Sequence, residues 1–149
     1  MYTLVVIDMQ AIFRASTDKN TVAHCKREIK QAMSKGAAIL YVEYAGYDKT
    51  LPVLTNLTKN YQRKFSVIKH NNGGGKEVKA TILKHRLPKT RIKVCGVNTD
   101  YCVLETVRGL TEKLKSAQVQ LLSKACNSTS NHEYGLEQLA RLKRVQIKE

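Results

Sequence analysis

The fold is decided by residues 91–114, which read RIKVCGVNTDYCVLETVRGLTEKL. The first part, through Gly96, is a short apolar run with β-branched residues, which is typical of a buried strand. The second part, from near Asp100 to about Leu114, has the apolar spacing of a helix. A strand that leads straight into a helix is the repeating unit of a parallel α/β sheet.

The same alternation continues on both sides of that segment. Apolar runs predict strands at residues 3–8, 37–42, 65–69, 91–96, 119–123 and 144–147. Helical patterns predict helices at about residues 21–35, 76–85, 100–114 and 131–142, with Gly36 ending the first. Residues 43–64 predict a loop with one or two helical turns, and residues 71–75 a flexible glycine-rich segment. We therefore expect one α/β domain over residues 1–149, a Rossmann-like three-layer α/β/α sandwich with a six-stranded parallel sheet.

The composition places the chain among ordinary soluble proteins. Of its 149 residues, 42% are hydrophobic and 26% are charged, which suits a globular domain with a substantial core. No apolar stretch approaches the roughly 20 residues that a membrane span requires, so no membrane partner is predicted. Residues 1–8 read as a buried strand rather than a signal peptide, and we expect a cytoplasmic protein.

The net charge is the unusual bulk property of the chain. Lysine and arginine total 26 against 12 acidic residues, which gives a formal charge of +14. Such a field attracts polyanions and anionic small molecules. The basic residues are spread along the whole chain, and no basic block alternates with aromatic residues as single-strand binding favours. This distribution favours a solvated basic surface over a nucleic-acid partner.

Four cysteines are present, and their spacing excludes the common metal and redox motifs. They are Cys25, Cys95, Cys102 and Cys126, and no two form a C-x-x-C pair. The spacing therefore indicates neither a zinc site nor a thioredoxin-like motif. In a reducing cytosol we expect free thiols, of which Cys25, Cys95 and Cys126 are interpreted as small core residues.

Three chemically useful side chains fall where strands of the predicted sheet end. Asp8 ends the first strand, Lys69 ends the third, and Cys102 lies just past the fourth. Ligands of open α/β sheets bind at the carboxyl ends of the strands, so these three residues are candidates for one site. The alternatives are a turn-forming aspartate, a surface lysine and a core cysteine.

The position of Cys102 after a strand predicts a reactive thiol. Asp100 or Thr99 can cap the following helix, which places Cys102 in its first turn. The helix dipole and a nearby cation favour the thiolate there. The exposed backbone N–H groups of that turn can stabilise an oxyanion.

Two segments carry a resemblance to a known superfamily. Residues 5–10, VVIDMQ, resemble the opening strand of isochorismatase-like cysteine hydrolases. Residues 96–103, GVNTDYCV, followed by Thr106, are similar to the nucleophile segment of these proteins, and residues 67–69 fall where they place a lysine. The superfamily includes nicotinamidase, N-carbamoylsarcosine amidase and isochorismatase. The resemblance spans almost the whole chain and implies the isochorismatase-like hydrolase fold.

The resemblance implies a covalent mechanism without a cofactor. Asp8, Lys69 and Cys102 are the implied catalytic triad: the carboxylate takes the thiol proton, sulfur attacks an amide carbon, and water hydrolyses the resulting thioester. A cis peptide is implied between Val97 and Asn98.

The resemblance also implies the groups that would contact a small-molecule substrate. The oxyanion would be held by the N–H groups of Asn98 and Cys102. Phe13 matches an aromatic residue that lines the nicotinamidase pocket, and Tyr101 would lie beside the nucleophile. The alternative for both aromatic residues is ordinary packing.

Several departures from the family pattern leave the substrate open. Residues 44–48 contain none of the histidines that hold a metal in nicotinamidases, so we predict no metal. Lys124 stands where the family usually has an aspartate, and the region between the second and third strands is short. A homo-oligomer is implied, in which a neighbouring subunit would complete the shortened wall. One alternative is a repurposed binding protein with an anionic partner such as nucleic acid. The other is an isochorismatase-type reaction on a vinyl ether.

Overall fold

A single parallel sheet of six strands forms the centre of the computed structural model, which describes residues 1–149. The strands are β1 (Thr3–Ile7), β2 (Ala38–Tyr44), β3 (Lys64–Lys69), β4 (Arg91–Val97), β5 (Gln118–Asn127) and β6 (Val145–Lys148). The helices are α1 (Lys19–Ser34), α2 (Pro52–Thr55), α3 (Gly75–Lys84), α4 (Leu104–Lys113) and α5 (His132–Ala140). The strand order is β3-β2-β1-β4-β5-β6, with every pair parallel. The predicted fold class is confirmed.

The order of the strands divides the helices between the two faces of the sheet. The chain builds outward from β1 to β3, and then returns to the other side of β1 with β4. Because parallel crossovers are right-handed, α1 and α2 lie on one face, and α3, α4 and α5 lie on the other. The contacts agree: α1 packs on β1, β2, β4 and β5, whereas α3 contacts α4 and α4 contacts α5. The strand order changes direction between β1 and β4, where such sheets bind ligands.

The central strands owe their position to their sequence. All five residues of β1 are buried, because helices cover both faces of this strand. A continuous apolar run such as Leu4–Ile7 is what a strand covered on both faces requires. No helix of the structure is long and apolar enough to cross a membrane.

The first helix confirms the predicted stop and corrects the predicted start. Gly36 has a φ of +68°, and its N–H donates to Met33 O, while the N–H of Ala37 donates to Ala32 O. This pair of bonds is the Schellman motif, which favours glycine at the left-handed position. The helix begins at Lys19 rather than near residue 21, because Asp18 caps it by accepting from the N–H of Thr21 at 2.9 Å.

Strand β5 is longer than the sequence predicted. It continues past Ser123 to Asn127, because after an irregularity opposite Val94 it pairs again with Gly96 and Val97. The hydrophobic pattern gave no sign of this extension, since residues 124–127 are mixed in polarity. The extension brings the end of β5 beside the residues that follow β4.

Residues 71–75 were predicted to form a flexible glycine-rich segment, and this prediction is wrong for Gly74 and Gly75. Gly74 and Gly75 are buried, and the N–H of Gly74 donates to Thr106 Oγ1 at 2.9 Å. A Cβ on Gly75 would lie 2.7 Å from Leu110 N, so this glycine allows α3 to approach the backbone of α4. These glycines provide close packing, which a run of glycines in a sequence does not distinguish from flexibility.

Candidate active site

The structure brings together the three residues predicted at the strand ends. Lys69 Nζ lies 3.1 Å from Asp8 Oδ2, and their side chains are 0% and 1% exposed. Cys102 is 5% exposed, and the charge of Asp8 is close enough to raise the pKa of its thiol. A carboxylate, an ammonium and a thiol therefore share one buried position at the carboxyl end of the sheet.

The backbone at the end of β1 turns sharply to present Asp8. Asp8 has a left-handed φ of +53°, and its N–H donates to Val42 O at 2.9 Å. Gly96 of β4, with a φ of +126°, packs so closely on β1 that a Cβ there would lie 2.1 Å from Ile7 O. Only glycine satisfies both conditions, and the close approach brings the segment after β4 next to Asp8.

The Lys69 ammonium is held from four directions. Besides Asp8, it donates to Asn71 O at 2.9 Å and to Asn72 O at 3.2 Å. Its fourth neighbour is the ring of Tyr44, whose centroid lies 3.8 Å from Nζ, a cation–π distance. A buried ammonium requires such compensation, and here it is fixed opposite the carboxylate.

The turn that carries Cys102 differs from the predicted capped helix. Thr99–Val103 forms one wide π-helical turn before α4, and no side chain caps it. The cis peptide implied between Val97 and Asn98 is present. The N–H of Asn98 donates to no protein group, whereas the N–H groups of Tyr101 and Val103 both donate to Asn98 O.

The residues predicted as helix caps instead tie this turn to the loop after β5. The Asp100 carboxylate accepts from Ser128 Oγ at 2.5 Å and from the N–H of Asn131 at 3.0 Å. Thr99 Oγ1 lies 2.8 Å from Nδ1 of His132. The turn is therefore fastened by side chains that lie some thirty positions away in the chain. This pairing is not visible in the sequence pattern.

Burial and mutual charge set the protonation of the site. Burial is the main cause that raises the pKa of Asp8, although the Lys69 charge opposes it. Burial and the neighbouring Asp8 charge raise the pKa of the Cys102 thiol to about 12. Burial and the Asp8 charge outweigh the Lys69 charge, which favours the thiolate as expected, so Cys102 carries its proton next to the carboxylate. Neither Asp8 oxygen receives an aligned hydrogen bond, so the contact with Lys69 is an ion pair.

Two residues that the sequence analysis missed close the site. Asn72 Oδ1 lies 3.9 Å from Cys102 Sγ, and Tyr44 covers the lysine. Tyr44 is the last residue of β2, just as Lys69 is the last residue of β3. The rule that ligands bind at the carboxyl ends of strands, applied to every strand, therefore predicts Tyr44 as a site residue.

Of the two aromatic residues predicted to contact the substrate, Phe13 packs in an aromatic cluster and Tyr101 is exposed to solvent. Phe13 belongs to a cluster with Tyr44 and Tyr47, at ring-centroid distances of 6.1 and 5.4 Å. This cluster adjoins the lysine through Tyr44. Tyr101 is about half exposed within the turn that carries Cys102, and Val97 is fully buried in the sheet.

No group of three or more histidine, cysteine, aspartate or glutamate side chains is arranged to hold a metal ion. The segment 44–48 contributes Tyr44 and Tyr47 to the aromatic cluster. The absence of a metal in the working protein stays a prediction.

Replacing Gly135 with alanine is expected to loosen the turn that carries Cys102. A Cβ there would lie 2.7 Å from Asp100 N and 2.7 Å from Thr99 C, so α5 has to move away. We expect a loss of about 1–3 kcal/mol in unfolding free energy, measured by urea denaturation. The matched control is Gly109→Ala, whose Cβ meets Gly75 Cα at an ordinary 3.6 Å and which we expect to stabilise α4 by roughly 0.5–1 kcal/mol. Equal effects of the two changes would contradict this close contact.

The sequence matches the Isochorismatase domain family over residues 2–147. The chain therefore belongs to the isochorismatase-like hydrolase family, as the resemblance predicted. Among curated protein sequences, none matches the chain.

Solved structures of similar fold include three that cover 99% of this chain. The pyrazinamidase/nicotinamidase of Streptococcus mutans UA159 has a TM-score of 0.82 at 17% identity, with 100% of its chain covered. The N-carbamoylsarcosine amidase of Thermoplasma acidophilum has a TM-score of 0.81 at 14% sequence identity, with 95% of its chain covered. The MAR1 ribonuclease of Caenorhabditis elegans has a TM-score of 0.83 at 18% sequence identity, with 76% of its chain covered. At these identities the likeness concerns the fold.

Proposed function

We propose that this protein is a cysteine hydrolase that cleaves a C–N bond of amide type in a small molecule. The observation that carries the proposal is the buried Asp8–Lys69 ion pair beside the Cys102 thiol. Burying an ion pair costs several kcal/mol of desolvation, so a pair placed next to a nucleophile at a sheet edge is better explained by chemistry than by stability.

In the proposed acylation step, Asp8 is the general base. As Cys102 Sγ attacks the amide carbon, the thiol proton passes to the Asp8 carboxylate, so that no free thiolate has to form in the buried site. The raised pKa of Asp8 makes it a stronger base than an exposed aspartate. The tetrahedral oxyanion would accept from the N–H groups of Asn98 and Cys102, and the unpaired N–H of Asn98 is available for this role.

The second half of the reaction returns the enzyme to its starting state. The proton on Asp8 passes to the leaving nitrogen, the C–N bond breaks, and an acyl-thioester remains on Cys102. Water then attacks the thioester, gives a proton back through Asp8 to sulfur, and releases the carboxylic acid. Lys69 is not consumed: it stabilises the charge of Asp8 whenever that carboxylate is ionised.

Substrate entry requires a local opening, because the site is covered. Asn72 contacts Cys102, and Tyr44 covers Lys69. We infer that the loop of residues 71–73 moves aside, while Phe13 and Tyr47 form the apolar wall that receives a flat substrate. Such a small, mostly aromatic wall suits a small molecule rather than a protein chain.

The second candidate is a binding protein that keeps the fold without turnover. The covered site and the +14 charge favour it, because a substrate has no ready entrance and the surface attracts anions. It requires no reaction at Cys102, so a failure to turn over any amide, together with salt-dependent binding of polyanions, would favour it.

The test is ammonia release from a panel of small primary amides, including nicotinamide, measured across pH. Because Asp8 must be ionised and its pKa is raised, we expect kcat/KM to fall on the acid side at a pH above the ordinary carboxylate range of about 4. Cys102 keeps its proton up to a pKa of about 12, so it adds no loss on the alkaline side of neutrality. Turnover that persists unchanged below about pH 4 would contradict the role of Asp8.

A further inference from the structure

One part of the sheet is not covered by any helix. On the face that α1 covers elsewhere, the first residues of β4, β5 and β6 present polar side chains to solvent. We call this amino-terminal end of the strands the lower end and the carboxyl end the upper end. The register places Lys93 beside Gln120 and Gln120 beside Gln146, so these three side chains point to the same face. We call this surface the β4–β6 face.

Cations gather on the β4–β6 face in two adjoining cavities. The lower cavity, of about 190 Å³, is lined by Arg91, Lys93 and Arg144 together with glutamines of β5 and β6. The upper cavity, of about 120 Å³, is bounded by Arg27 of α1 and by Lys124 and Lys148 of the strands. Gln120 lines the lower cavity and Leu122 lines the upper one. The two cavities adjoin because these residues are neighbours on the same side of β5. The acidic side chains that line them are Glu28 and Glu149, both in the upper cavity.

The cations of this face form no ion pair, and the carboxylates of Glu28 and Glu149 offset part of the positive charge of the upper cavity alone. The ion pairs of the structure are Asp8–Lys69 and Glu105–Arg108, and neither involves a residue of the face. Lys93 lies over the ring of Tyr2, with Nζ 4.4 Å from the centroid. Arg144 donates to backbone carbonyls of Ala117 and Thr111, which fixes its guanidinium without cancelling its charge.

We propose that the β4–β6 face binds nucleic acid through its phosphate backbone. The side of β5 that faces the two cavities runs from Gln118 to Lys124, a length of about 20 Å, which matches roughly six phosphates of one strand of a duplex at about 3.4 Å of helix axis each. A mononucleotide would use a single cavity, whereas a linear polyanion contacts both.

Two features define the kind of binding. The face has no exposed aromatic residue on which bases can stack, because Tyr2 is buried, so binding is independent of base sequence. A second copy of the chain is a poor occupant, because a two-fold interface would bring the same cations opposite one another.

The test uses binding of a fluorescein-labelled 20-nucleotide RNA, single-stranded and duplex, at several salt concentrations. The variant Arg91→Gln/Lys124→Gln/Lys148→Gln removes three exposed cations of the face, and the matched control Lys76→Gln/Lys84→Gln/Lys113→Gln removes three from the opposite helices. We expect the face variant to weaken binding at least about tenfold and to lower the salt slope by about 2, since each phosphate contact contributes roughly 0.7–0.9. The control variant is expected to weaken binding no more than about threefold, through net charge alone.

A variant that adds charge protects the test against a folding defect. Gln146→Lys adds a cation at an exposed position of the β4–β6 face and is expected to tighten RNA binding. Equal losses in the two triple variants, or no RNA binding by the wild type, would overturn the proposal. Retention by acidic lipid vesicles that the face variant loses, with RNA binding unchanged, would also overturn it and assign the face to a membrane surface. The proposal is independent of the hydrolase reaction, so Cys102→Ala is expected to bind RNA as the wild type does.

Discussion

Replacing Cys102 with alanine is expected to lower kcat for the best amide by at least about 10⁴-fold, because the acyl-thioester can no longer form. Asp8→Asn is expected to be nearly as severe, since asparagine cannot take the thiol proton and burial by itself still raises the pKa of Cys102. Because the two residues act as a unit, the double variant should lose little more than either single change. Activity is measured as ammonia released under saturating substrate.

The matched control for this experiment is Cys126→Ala. Cys126 is also buried, and burial raises the pKa of its thiol, but it lies in β5 away from Asp8 and Lys69. We expect this change to leave kcat within severalfold of the wild type. Comparable losses in Cys102→Ala and Cys126→Ala would show that removing any buried thiol damages the enzyme, and would remove the special role of Cys102.

Replacing Lys69 with methionine is expected to cost about 3–5 kcal/mol of unfolding free energy at neutral pH, because it leaves the Asp8 carboxylate buried without its cation. In Lys69→Met/Asp8→Asn no buried charge remains, so much of the lost stability should return. An exposed control, Lys84→Met, should stay within about 0.5 kcal/mol of the wild type. Urea denaturation of the four proteins measures the difference.

The pH dependence of this loss has a definite sign. Burial already raises the pKa of Asp8, and removing the Lys69 charge, which lowers it, raises it further. A carboxyl whose pKa is higher in the folded than in the unfolded state favours folding below its unfolded value, and that contribution is lost as pH rises through its folded pKa. Lys69→Met should therefore be least destabilising near about pH 4 and most destabilising above neutrality. A loss that is independent of pH would show that packing, not charge, explains it.

Much of the fold followed from short-range patterns in the sequence. Apolar β-branched runs gave all six strands, and Gly36 marked the end of α1 because its left-handed conformation favours glycine. The strand-end rule predicts Asp8, Lys69 and Cys102 at one edge of the sheet, where the structure has them.

What the sequence did not reveal depends on contacts between distant residues. Asp100 resembles a helix cap, but its carboxylate bonds to Ser128 and Asn131. The helix dipole and a nearby cation favour the thiolate of Cys102, but the sequence does not reveal that burial beside Asp8 raises the pKa of this thiol. Tyr44 and Asn72 were missed because their roles arise from positions around Lys69 that only the folded chain defines.

The most direct test of the coupling between Asp8 and Cys102 is the rate at which iodoacetamide alkylates Cys102 as a function of pH, with peptide mapping to separate the four thiols. In the wild type we expect slow reaction at neutral pH, because the pKa of the thiol is raised to about 12. In Asp8→Asn the negative charge that helps to raise this pKa is absent, so the reaction should be faster at every pH near neutrality, although catalysis is lost. A Cys102 that reacts rapidly below pH 7 in the wild type, or that reacts no faster in Asp8→Asn, would contradict the proposed pairing of a protonated thiol with an ionised base.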